Sequence, residues 1–123
     1  MIKVLVVDDE YAFADYAKLI LESMGYSAVI CLVAARAVEM AVAHRPDIII
    51  TDLNMDLDGL ELIDRLKARP ETKDIPILLA SSSTDRADRA EALRRGAMYS
   101  IVKPLQKDVL KMLIDKLVPK PAQ

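Results

Sequence analysis

"PDIIITDLNMDLDGLELI" (residues 46–63) decides the fold. Ile48, Ile49 and Ile50 stand in a row between Asp47 and Thr51, with no polar residue alternating among them. A short continuous apolar run reads as a strand covered on both faces, which is the habit of parallel sheets. Asp52, Asn54, Asp56 and Asp58 then crowd into one turn, where Asp56 and Asp58 read as turning the chain and capping the helix that follows at residues 59–68. The stretch is therefore one strand–helix unit with acids at the carboxyl end of its strand.

The same unit recurs on either side. "KVLVV" (residues 3–7) is strand-like and runs into Asp8. Residues 11–24 place Phe13, Tyr16, Ala17, Ile20, Leu21 and Met24 at helical spacing, and Gly25 stops that helix. Residues 26–32 form a second strand, and residues 34–44 an alanine-rich helix ended by Arg45-Pro46. Strands at 75–81 and 100–104 alternate with helices at 86–97 and 106–118. The last helix carries Val109, Leu110, Leu113, Ile114 and Leu117 as its apolar stripe. Five strand–helix units imply an α/β fold with a doubly wound, five-stranded parallel sheet. Five strands are too few for an eight-stranded barrel. Residues 1–118 are expected to form one domain, and 119–123 a tail or the start of a linker.

Composition narrows the possibilities. The 123 residues suit one domain, and 53% hydrophobic content supports a sizeable core. A net charge of −2 gives no general attraction to nucleic acid or anionic lipid. The charge is uneven, with 4 basic and 10 acidic residues in 1–60 against 13 basic and 9 acidic in 61–123. An acidic front half would attract a cation, although unequal solvated faces account for the asymmetry equally well. Cys31 is the only cysteine, which excludes an intrachain disulfide and fits a reducing, cytoplasmic setting. No apolar stretch approaches membrane-spanning length. The first residues read as a strand rather than a signal peptide. His44, the only histidine, lies near a helix end, so a Ser-His-Asp hydrolase is disfavoured.

In an open doubly wound sheet, ligands bind beyond the carboxyl ends of the strands. Asp8, Asp9 and Glu10 follow the first strand, Asp52 the third, Ser81, Ser82 and Ser83 the fourth, and Lys103 and Pro104 the fifth. Each alone has an ordinary reading: acids cap helices, serines make loops, and lysine before proline is common in turns. Together they bring carboxylates, a hydroxyl and an ammonium to one crevice. Mg²⁺ suits such hard oxygen donors. One aspartate of the set would be the nucleophile of phosphoryl transfer, with the lysine offsetting charge on the transferring oxygens. An EF-hand would need a longer loop ending in Glu. A flavodoxin-like module would need a phosphate cradle where "DDE" stands, and a haloacid-dehalogenase phosphatase would need D-x-D where "DLN" stands.

At this point the chain resembles the receiver domain of two-component response regulators. "VLVVDDE", "PDIIITDLNM", "DGLELI", "IPILLASS", "RRGA" and "IVKPL" carry the resemblance in order over nearly the whole length. It implies a flavodoxin-like (βα)5 fold with strand order 2-1-3-4-5, in a protein that catalyses only its own phosphorylation and dephosphorylation. Asp52 would accept a phosphoryl group from a phosphohistidine on a sensor kinase or phosphotransfer protein. Asp9, Asp52 and the Asn54 backbone carbonyl would bind Mg²⁺, with Asp8 acting through water. Ser81 and Lys103 match the hydroxyl and lysine that meet the phosphoryl group, and Ser82 a small-residue position beside its entry path. Asn54 and Ser83 match the positions that tune autodephosphorylation. Tyr11 and Leu19 on the first helix are candidates for kinase docking. Arg86, Arg89, Arg94 and Arg95 on the fourth helix are candidates for a target protein or a detached output domain, or for a solvated face.

Two departures stand out. The family's D-x-x-M-P-x-M-D-G is here "DLNMDLDG", without the proline and one residue shorter. Three residues before the lysine, where the family often has Tyr or Phe, this chain has Ser100, and the neighbouring Tyr99 should face the other way. A receiver-like interaction module without phosphate-dependent switching is therefore the alternative reading.

Overall fold

Five parallel strands make a single sheet in the computed structural model, which describes residues 1–53, 55, 57–82 and 86–118. The elements alternate along the chain as β1 (Lys3–Val7), α1 (Tyr11–Ser23), β2 (Ser27–Cys31), α2 (Ala37–His44), β3 (Ile48–Thr51), α3 (Gly59–Lys67), β4 (Ile77–Ser81), α4 (Arg86–Arg95), β5 (Tyr99–Val102) and α5 (Lys107–Leu117). The sheet order is β2-β1-β3-β4-β5, as the resemblance implies. The chain winds from β1 to one side for β2 and returns to the other for β3. The order therefore reverses between β1 and β3, which pair from Val4↔Ile48 to Val7↔Thr51.

Alternate residues of the apolar strands serve opposite layers. Val4, Val6, Ile48, Ile50, Leu78 and Ala80 face the core shared with Ala14, Ala17 and Leu21 of α1 and Leu110, Leu113 and Ile114 of α5. Leu5, Val7, Ile49, Ile77 and Leu79 face Ala37 and Ala41 of α2, Leu62, Ile63 and Leu66 of α3, and Ala92 of α4. The two-residue strand period splits one apolar run between two cores, so no residue of "III" is free to be polar. Fully burying an Ile or Leu side chain contributes roughly 1.5–3 kcal/mol, so this sandwich is the chief support of the fold.

The boundaries match the sequence reading with small shifts. The alanine-rich helix begins as a 3-10 turn at Ala34–Arg36, in which the Arg36 N–H donates to Val33 O at 3.0 Å. No side chain caps that end, so the first turn tightens onto shorter-range bonds. Arg45 closes α2 in the left-handed region at φ 48°. Strand β5 starts at Tyr99, which pairs with Leu78, and ends at Val102, so Lys103 lies just beyond it. Helix α4 buries only Ala92, which leaves it the most polar helix of the set.

Candidate functional site

The crevice is built from strand ends. Past β1, the Asp8 N–H donates to Cys31 O at 3.0 Å, holding Asp8 against the end of β2. Past β3, the Asp52 N–H donates to Val7 O at 3.2 Å, holding Asp52 against the end of β1. Past β5, the Lys103 N–H donates to Ser81 O at 2.9 Å, continuing the β4–β5 pairing by one residue. Sheet hydrogen bonding thus carries three distant residues to the point where the strand order reverses.

Their side chains meet. The Lys103 ammonium donates to Asp8 Oδ2 at 2.7 Å and to Asp52 Oδ2 at 3.3 Å. The remaining carboxylate oxygens are held by backbone. Asp8 Oδ1 accepts from the Glu10 N–H at 2.9 Å, and Asp52 Oδ1 from the Leu53 N–H at 2.6 Å. Asp8 is 1% exposed and Asp52 7%. Two buried carboxylates therefore share one ammonium, and the cluster keeps a net negative charge. Burial by itself lowers the Lys103 pKa. The Asp8 hydrogen bond and the charges of Asp52 and Asp8 outweigh it and hold the ammonium above its ordinary value.

The turn after Asp52 is closed by backbone contact. The Gly59 N–H donates to Leu53 O at 2.9 Å. A Cβ on Gly59 would lie 2.5 Å from Asp52 O and 2.7 Å from Leu53 Cα, so only glycine fits there. Asp58 caps α3 as its sequence position implies, its Oδ1 accepting from the Leu60 N–H at 2.9 Å. Asn54 and Asp56 lie outside the described residues.

Of the remaining expected site residues, Ser81 ends β4 and is fully buried, whereas Ser82 is exposed and Ser83 lies outside the described residues. Asp9 is exposed beside Asp8. Among the described residues, no three His, Cys, Asp or Glu side chains are gathered in a way that could hold a metal ion. The pair Asp8 and Asp52 still fits Mg²⁺ by the chemistry of its donors: hard oxygens with more negative charge than Lys103 offsets.

The Ser100 hydroxyl oxygen is buried and finds no hydrogen-bond partner among the described residues, while Tyr99 is exposed on the opposite side of β5. Tyr11 and Leu19 are exposed on α1. On α4, Arg86 is exposed and Arg89 half-buried. Arg94 is paired with Glu91 at 2.7 Å, and Arg95 bridges Glu91 and Asp64 of α3. Two of the four arginines thus stiffen helices rather than stand free.

Sequence reasoning missed Phe13, whose ring centroid lies 3.9 Å from the Lys103 ammonium. Helical spacing places it on the apolar stripe of α1. Its place four residues after Asp9, in the first turn of α1, is the only sequence signal that would have pointed to the crevice.

The family model for the response regulator receiver domain matches residues 4–115. The transcriptional regulatory protein KdpE of Mycobacterium tuberculosis is 31% identical over 109 residues, covering 88% of this chain and 47% of KdpE. The chain thus spans about half the length of that regulator. A chemotaxis protein CheY homolog of Campylobacter jejuni is 31% identical over 121 residues, covering 94% of this chain and 92% of the homolog. Among solved structures, the chemotaxis protein CheY4 of Vibrio cholerae superposes with a TM-score of 0.89 at 28% identity, covering 96% of this chain and 99% of CheY4.

Proposed function

The chain belongs to the response regulator receiver domain family of two-component signalling, and on that premise we propose that Asp52 is the phosphoacceptor of a switch. One observation carries the reading: buried Asp8 and Asp52 share the Lys103 ammonium at the point where strand order reverses. An Asp52 carboxylate oxygen attacks the phosphorus of a phosphohistidine on a sensor kinase or phosphotransfer protein. The P–O bond forms, the P–N bond breaks, and its electron pair stays on the departing imidazole nitrogen. Lys103 lies where it offsets charge on the transferring oxygens, and the Ser81 hydroxyl can donate to them. Asp8, Asp9, Asp52 and the Asn54 carbonyl would hold Mg²⁺, which supplies further charge neutralisation at those oxygens. Water later attacks the phosphorus, releasing inorganic phosphate and restoring the Asp52 carboxylate, at a rate tuned by Asn54 and Ser83.

The reading extends to partners. Tyr11 and Leu19 meet the donor, and the face formed by α4, β5 and α5, with Arg86 and Arg89, meets a downstream protein or output domain in the cytoplasm. Residues 1–118 act as the receiver domain, and the expected tail at 119–123 lies outside the described residues. Acetyl phosphate with Mg²⁺ should add one phosphoryl group, detected by intact mass. Asp52→Asn should abolish the addition, and labelling of that variant at the wild-type rate would sink the reading.

Ser100 supports a second reading, because it puts a small buried hydroxyl where an aromatic ring would report the phosphorylated state. In that case the domain binds its partner with or without phosphate. Unchanged amide shifts over α4 and β5 on adding beryllium fluoride would favour this alternative.

A further inference from the structure

Lys103 has one neighbour that the phosphoacceptor reading does not use. Its ammonium has three N–H donors, and among the described residues two hydrogen-bond contacts, with Asp8 and Asp52, leave one side open. The Phe13 ring lies on the ammonium at 3.9 Å to the centroid. Phe13 is the only phenylalanine in the chain and is half-buried against the α1–α5 core. One turn further along α1, the Tyr16 hydroxyl donates to Leu105 O at 3.2 Å. Helix α1 therefore grips the segment after β5 twice, at the lysine head and at the backbone two residues beyond it. The negative face of the ring attracts the cation and takes the place of water there. A long, flexible lysine is otherwise free to swing toward solvent, which would leave two buried carboxylates facing each other.

Resting on the phosphoacceptor reading, we propose that Phe13 is a positioning residue for phosphoryl transfer, its ring seating the Lys103 ammonium between Asp8 and Asp52. Leucine at this position keeps apolar bulk and loses the ring face, whereas tyrosine keeps both. Phe13→Leu should slow acetyl phosphate labelling in the presence of Mg²⁺ by roughly 2- to 5-fold, and Phe13→Tyr should restore it. Lysine-selective nitrogen NMR supplies a readout that packing alone does not move. The Lys103 ammonium hydrogens should exchange with water faster in Phe13→Leu by a similar factor, and at the wild-type rate in Phe13→Tyr. Equal labelling and equal exchange in wild type and Phe13→Leu would overturn the proposal, as would a folded Phe13→Tyr that behaves like leucine. If the wild type takes no label, the phosphoacceptor reading fails, and the exchange rates alone still decide whether Phe13 seats the ammonium. If Phe13→Leu does not fold, Phe13→Met supplies the same comparison.

Discussion

Replacing Gly59 by alanine tests the tightest contact beneath the crevice. The added Cβ would sit 2.5 Å from Asp52 O, 2.7 Å from Leu53 Cα and 3.1 Å from Leu53 O. All three are backbone atoms, so no side chain can swing aside. Alanine gains at most ~1 kcal/mol in helix propensity, and less at a first helical position. Overpacking of this kind costs about 1–3 kcal/mol, so the clash wins. The expected net loss is about 1–2 kcal/mol. With a urea slope of ~1–3 kcal/mol/M, the midpoint should fall by roughly 0.3–2 M while the slope stays constant. The displaced atoms carry the site as well, since Leu53 N–H holds Asp52 Oδ1 at 2.6 Å. Acetyl phosphate labelling of the folded variant should therefore fall together with stability. A Gly59→Ala protein as stable as wild type and labelled at the same rate would refute the reasoning.

Two further perturbations probe other supports. The Lys103 pKa is raised in the folded protein, so its stabilisation is complete below the unfolded value of about 10.4 and is lost as pH rises through the higher folded value. Tyr26 is also raised, by burial and by Asp115, and acts in the same direction. Urea midpoints from pH 8 to 11 should therefore fall less steeply for Lys103→Met than for wild type, and parallel curves would contradict the assignment. Thr72 is fully buried and donates to Leu66 O at 2.6 Å near the end of α3. Thr72→Val keeps the shape and strands that carbonyl, which should cost about 1–3 kcal/mol in thermal unfolding. An unchanged melting temperature would show that the bond contributes nothing.

Particular residues show where legibility stopped. Ile48 to Ile50 disclosed a doubly covered strand because burial on both faces leaves no place for a polar residue. Asp58 disclosed its cap because capping spans only two residues. Asp8, Asp52 and Lys103 were legible as a set because a parallel sheet delivers every strand's carboxyl end to the same edge. Phe13 was not, since an aromatic on an apolar stripe looks the same whether its ring meets leucine or an ammonium. Arg95 reads from sequence as part of a partner surface or a solvated face, because its pairing with Asp64 depends on how α3 and α4 pack, whereas the pairs of Glu91 with Arg94 and Arg95 lie within α4 at local spacing. Of Asp8, Asp9 and Asp52, the carboxylates that the resemblance assigns to the metal, the structure joins Asp8 and Asp52 through Lys103 while Asp9 is exposed.

The sequence by itself determined five strand–helix units and the residues that end each strand, since strand period, helix period and caps act over a few neighbours. Tertiary structure alone decided that one ammonium bridges carboxylates 95 and 51 residues away in the chain. It also decided that an α1 ring covers that ammonium and that Gly59 presses on the backbone of Asp52. The physical reason is range. Such contacts depend on strand register and helix packing summed over the whole sheet, and no local pattern of residues records their distances.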